Sequence, residues 1–87
     1  MAARTSLARL QRATRLVLSS NLRMERARLG LTQERAAERV RLSLQYLQRI
    51  ERCIVNVPLD TLVRFARAYG VEPAELLKPS GSRRVVE

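Results

Sequence analysis

The chain has no histidine, no tryptophan and a single cysteine, Cys53. Without histidine or a second thiol no zinc site can be written, and no disulfide can form within the chain, so the fold rests on apolar packing and suits a reducing compartment. Serines without a base, and acids that no motif groups in pairs, leave an enzyme without materials. Phe65, Tyr46 and Tyr69 are the only rings, too few for a base-stacking platform. Apolar runs are as short as Leu16-Val17-Leu18, far from a membrane span, which predicts a soluble protein with no membrane partner. Lysine is almost missing as well, Lys78 being the one lysine among 17 cations.

What the chain has instead is arginine. Its 87 residues carry 17 Lys plus Arg against 8 Asp plus Glu, a net charge of +9. Such a chain attracts polyanions, and the guanidinium fork suits bidentate contact with phosphate or guanine. Nucleic acid leads the list of partners. The length allows one small domain and a terminal arm.

Residues 1–20 contain no acid and place Leu7, Leu10, Val17 and Leu18 on one helical face, with Arg9, Arg12 and Arg15 opposite. This predicts a basic amphipathic helical arm. It reads as an extra scaffold helix, as a DNA-contacting or dimerising arm, or as an Arg-rich targeting peptide. From Asn21 the punctuation becomes regular. A first helix is expected from about Asn21 to Leu29, ended by Gly30, and a second from the cap Thr32 to Val40. A third runs from the cap Ser43 to about Arg52, a fourth from Pro58 to Gly70, and a short fifth covers Pro73 to Lys78. Residues 21–78 thus form the domain, and 79–87, with Ser80-Gly81-Ser82, read as a flexible tail. No strand-like alternation interrupts this all-α pattern.

The connection Arg41-Leu42 is too tight for the second and third helices to lie side by side, so they cross steeply, and Ala36 and Ala37 permit a close approach. At 100° per residue the third helix turns Tyr46, Leu47 and Ile50 to one side and Leu44, Gln45, Gln48, Arg49 and Arg52 to the other. Glutamine bonds adenine bidentately in the major groove, arginine forks onto guanine, and an exposed Leu44 suits a thymine methyl. That side therefore has the groups needed to read base edges, where an ordinary solvated face would mix acids with bases.

The segments Leu31-Thr32-Gln33-Glu34, Ser43 to Tyr46, Ile50-Glu51-Arg52, Leu59-Asp60-Thr61-Leu62 and Tyr69 to Leu77 together resemble the phage-repressor-like helix-turn-helix regulators of the xenobiotic-response-element family, from about Asn21 to Lys78. The resemblance implies a five-helix domain that binds operator DNA as a dimer. It places Gln33 as a phosphate-contacting glutamine, Ser43, Leu44, Gln45 and Arg49 at base-reading positions with Gln48 beside them, and Arg52 as a backbone contact. It also implies a salt bridge between Arg26 and Glu51. Independently, Gln33 stands beside unpaired amides at a positive helix end, and Glu51 in a last turn benefits from a cation.

Three positions depart from that pattern. Arg41 and Cys53 stand where relatives place glycine, so the backbone either avoids positive φ or carries strain there. Cys53 itself reads either as an acidified thiol beside arginines or as a small apolar filler. The loop Ile54-Val55-Asn56-Val57 is apolar where relatives carry cations, so phosphate contacts come from elsewhere, such as the amino-terminal arginines, or the loop meets a partner subunit. The sequence thus predicts a cytoplasmic, bacterial or phage-encoded DNA-binding repressor. It is expected to act as a homodimer on a palindromic operator, with no cofactor, no metal and no catalysis. The alternative is an adaptor or antitoxin that grips a partner protein and autoregulates its operon.

Overall fold

The computed structural model describes residues 6–79, which form four α-helices and one short 3-10 segment and, among the described residues, no strand. Helix α1 spans Leu7–Arg28, α2 Gln33–Val40, α3 Leu44–Glu51 and α4 Leu59–Tyr69, and the 3-10 segment covers Pro73–Leu77. Three helices start at the expected kind of residue: Ser6 accepts from the Arg9 amide, Thr32 from the Arg35 amide and Ser43 from the Tyr46 amide, each at 3.1 Å.

The expected separate amino-terminal helix does not exist as an element of its own. It and the first domain helix are one 22-residue helix, and the boundary anticipated between residues 20 and 21 falls inside it. Serines and an asparagine at 19–21 looked like a helix start because those residues usually cap. Here they serve the helix interior. Ser19 folds its hydroxyl back onto the Leu16 carbonyl at 3.2 Å, and buried Asn21 donates its amide to the carbonyls of Leu76 (2.8 Å) and Lys78 (2.7 Å). The expected fifth helix is likewise corrected to a single 3-10 stretch, which Pro73 opens and the Lys78 amide closes on the Glu75 carbonyl. Residues 1–5 of the arm and 80–87 of the tail lie outside the described residues.

The core is small and mostly aliphatic, with two aromatic rings. Leu18 and Leu22 of α1, Ala36, Ala37 and Val40 of α2, Leu47 and Ile50 of α3, Leu62, Phe65, Ala66 and Tyr69 of α4, and Leu76 form one buried cluster. Phe65 and Tyr69 meet edge to face with centroids 5.6 Å apart. Both alanines are buried, which brings α2 close to its neighbours at the crossing.

All four α-helices end the same way. A left-handed residue follows each, and the next amide reaches back to the carbonyl five positions earlier: Leu31 to Arg26, Leu42 to Ala37, Ile54 to Arg49 and Val71 to Ala66, at 2.9–3.2 Å. Gly30 and Gly70 take that conformation freely, whereas Arg41 (φ 68°) and Cys53 (φ 65°) adopt it with a Cβ. The question raised by these two substitutions is therefore answered: the turn geometry is kept and strain accepted. Leu31, Leu42 and Val71, the residues just beyond the turns, pack on the core, while Ile54 is 62% exposed.

Candidate nucleic-acid interface

The joint between α2 and α3 is held by one buried carboxylate. Glu51, 3% exposed, accepts from Arg26 through both oxygens, Nε to Oε2 at 2.7 Å and Nη2 to Oε1 at 3.0 Å. This is the Arg26–Glu51 bridge the resemblance implies, in the fork geometry that makes such pairs strong. It offsets the poor placement of an acid in the last turn of α3. Arg26 also reaches the Leu31 carbonyl at 3.0 Å, tying the start of α2 to the same point, and its hydrogen bonds to the Glu51 carboxylate raise its pKa above the already basic arginine value.

Gln33, the first residue of α2, adds a bond that sequence reasoning missed. Its Nε2 donates to Glu51 Oε1 at 3.0 Å, and its Oε1 accepts from Gln48 Nε2 at 3.3 Å. The side chain expected to extend a phosphate site is thus oriented by Glu51 and in turn orients Gln48. Thr32 capping makes Gln33 the first helical residue of α2, one turn ahead of buried Ala36 and Ala37, and that register was the only signal available.

Along α3 the outward stripe consists of Gln45, Arg49 and Arg52, all exposed, with half-buried Gln48 beside them. Ser43 is exposed, with its oxygen engaged as the cap of α3. Leu44 departs from expectation. It is half-buried and packs against the core, because it lies three residues before Leu47, about 60° around the helix from the centre of the packed face. Tyr46, on the opposite margin, is also half-buried against the core, as expected.

The charge count also needs sorting. Arg28 pairs with buried Glu25 (2.6 Å) and donates to the Tyr69 carbonyl at the end of α4 (3.1 Å). Arg23 donates to the Glu51 carbonyl at the end of α3, and Arg64 to the Arg41 carbonyl after α2. These three cations satisfy helix carboxyl ends, a role that favours arginine there independently of DNA. The exposed Arg35 and Arg39 of α2, with Arg49 and Arg52, make up the basic surface around the joint. In the loop after α3, Val55 and Val57 pack on the core while Ile54 and Asn56 face outward. Cys53 is half-buried and free.

No group of metal-ligating side chains occurs among the described residues, and no helix there is long and apolar enough to cross a membrane. A sequence family described as a helix-turn-helix domain matches residues 17–78. The chain is 39% identical over 66 residues to an uncharacterized HTH-type transcriptional regulator, y4dJ, of Sinorhizobium fredii, covering 76% of this chain and 86% of that protein. It is 35% identical over 69 residues to a Neisseria hypothetical transcription factor of Neisseria meningitidis, covering 79% of this chain and 65% of that one, so it spans somewhat less than two thirds of this longer relative. The crystal structure of the hypothetical transcription factor NHTF from Neisseria superposes with a TM-score of 0.76 at 34% identity, covering 78% of each chain. The two short helices crossing at Arg41–Ser43, with amides and arginines along the outer side of the second, are thus those of a DNA-binding transcriptional regulator of the helix-turn-helix domain family.

Proposed function

We propose that the protein is a repressor that binds a palindromic operator as a homodimer, with α3 laid in the major groove of each half-site. Gln45, Gln48 and Arg49 read base edges, Ser43 donates its hydroxyl at the entry of the helix, and Leu44 offers a thymine methyl only the part of its side chain that the core leaves free. Gln33, at the amino end of α2, meets a phosphate together with the first amides of that helix. Arg52, at the exit of α3, meets the backbone of the flanking nucleotides. The observation that carries this reading is the relay from Arg26 through Glu51 and Gln33 to Gln48, which holds a base-reading amide in place before DNA arrives. Repression follows from occupancy alone, since steric exclusion at a promoter needs no second domain.

Selection of bound sequences from random duplexes with purified protein tests the proposal. The expected product is an inverted repeat whose half-site centres lie about 10 base pairs apart. Recovery of a single unrepeated half-site would exclude the dimeric arrangement, and recovery of no consensus would exclude sequence reading by α3.

A further inference from the structure

An apolar groove of about 490 Å³ lies between the first half of α1, the loop after α3 and the start of α4. One wall is the α1 stripe Leu7, Leu10, Thr14 and Leu18, spaced so that all four share a face, and its outer members are exposed. The other wall includes Val55, Val57 and Leu59, with Leu77 also lining the groove. Leu7 and Leu59 remain 71% and 72% exposed, and Leu10 and Leu77 are both exposed. Ile54, beside the groove, is the one residue beyond a helix-ending turn that does not pack on its own core. A cluster of this kind on a chain of net charge +9 is covered by something.

We infer that the occupant is the α1 stripe of a second copy of this chain, packed across a two-fold axis so that each copy's Leu7 and Leu10 fill the other's groove against Leu59. This rests on the homodimeric reading above and gives it a location. The groove and the helix that would fill it belong to one continuous face, the self-complementary arrangement a two-fold interface requires. The lining does not oppose this occupant. Two strongly cationic chains can meet only along a seam nearly free of charge, and Arg15 is the only charged residue among the described residues lining this groove. The DNA face is untouched, since none of Gln33, Ser43, Gln45, Gln48, Arg49 and Arg52 lines it. Its floor includes Ile50 at the end of α3, so an axis here fixes the spacing between the two reading helices.

Sedimentation equilibrium of the full chain tests the inference with Leu10→Glu, Leu59→Glu and, as a control, Met24→Glu, an exposed position of α1 outside the groove. Leu59→Glu is the decisive variant, because an acid in the first turn of α4 favours that helix and the fold is retained. Each groove variant is expected to raise the dimer dissociation constant by at least about tenfold while unfolding as the wild type does at concentrations where both are monomeric, and Met24→Glu to leave that constant unchanged. If wild type and both groove variants dimerise alike, the interface lies elsewhere and the homodimeric reading stands without this one. Equal weakening by Met24→Glu also overturns the assignment. A wild-type protein that is monomeric both free and on its selected duplex overturns the groove interface and the homodimer together.

Discussion

The Gln33 side-chain amide and the Glu51 carboxylate, 18 residues apart in the chain, are joined at 3.0 Å, so the amino end of α2 and the carboxyl end of α3 share a single anchor. Through Arg26 that anchor extends to α1. Glu51→Ala is expected to lower stability by about 1–3 kcal/mol, because it leaves a partly buried guanidinium and an amide without their acceptor. The double variant with Arg26→Ala should recover part of that loss. Strict additivity in a denaturant double-mutant cycle would show that the pair contributes nothing through contact.

Gln45→Ala and Arg52→Ala should fail differently on DNA. Gln45 lies in the first turn of α3, which enters the groove in the proposed complex, and its loss is expected to cost about 1–3 kcal/mol on the preferred operator and relax choice at one position per half-site. Arg52 caps the far end of α3, and its loss should weaken all sequences alike and reduce the salt slope by about one unit per contact. Competition on single-base operator variants at two salt concentrations separates the two. Equal weakening on every sequence by Gln45→Ala would remove α3 from the role of reader.

Gln48→Ala should resemble Gln45→Ala in base choice, whereas Gln33→Ala should combine a general loss of affinity with a loss of discrimination at the Gln48 position. Gln33 both faces phosphate in the proposed complex and fixes the Gln48 amide at 3.3 Å. The same competition set, read for Gln33→Ala, checks this: a uniform loss with unaltered base preference would uncouple the two glutamines.

Arg41→Gly and Cys53→Gly are each expected to raise stability by about 0.5–1 kcal/mol, since both sites hold left-handed backbone with φ of 68° and 65°. The carbonyl that Arg64 contacts survives the first change. Chemical denaturation of the single and double variants is the check, and a loss at either site would mean that the side chain contributes more than its conformation costs.

Tyr69 is buried with a hydroxyl that has no hydrogen-bond partner among the described residues, and burial, with the charge of Glu51 adding to it, pushes its pKa up to about 12. The folded state therefore keeps a proton that the unfolded chain releases near pH 10. The resulting stability is complete below pH 10 and is lost as the pH rises toward about 12. Tyr69→Phe should leave neutral-pH stability equal or up to about 1 kcal/mol higher, and should lose less between neutral pH and about pH 11. A steeper alkaline loss in the variant would contradict the assignment of that proton.

DNA affinity of the wild type should fall steeply with salt, with a log-log slope near −7 for about eight phosphate contacts. Titrations at a series of salt concentrations measure it, and a slope close to zero would disprove the nucleic-acid reading.

How much was legible in the sequence depends on whether a residue's role was local. The caps at Thr32 and Ser43, the glycine stop at Gly70 and the exposed stripe Gln45, Arg49 and Arg52 were readable, because capping, turns and helical spacing act within a few residues. Asn21 misled because the carbonyls of Leu76 and Lys78, to which it donates, lie 55 and 57 residues away in the chain, and such distant partners make an asparagine acceptable inside a helix. Leu44 misled because a residue on the margin of a helix is assigned by what packs there, not by its angle alone. The Arg26–Glu51 pair was reachable through resemblance, whereas the insertion of Gln33 into it depends on side-chain reach across two helices.

The tie between Asn21 and the carbonyls of Leu76 and Lys78 has a consequence for how the chain is made. Helix α1 is synthesised before the rest of the domain, yet the carbonyls that accept from its buried amide are 55 and 57 residues further on, so this contact cannot close until nearly the whole domain has been synthesised. Until then the buried face of α1 around Asn21 lacks partners that the finished fold gives it. A chain ending just before Leu76 would retain α3 and lack both of these closing bonds, and is expected to unfold more readily than the full domain.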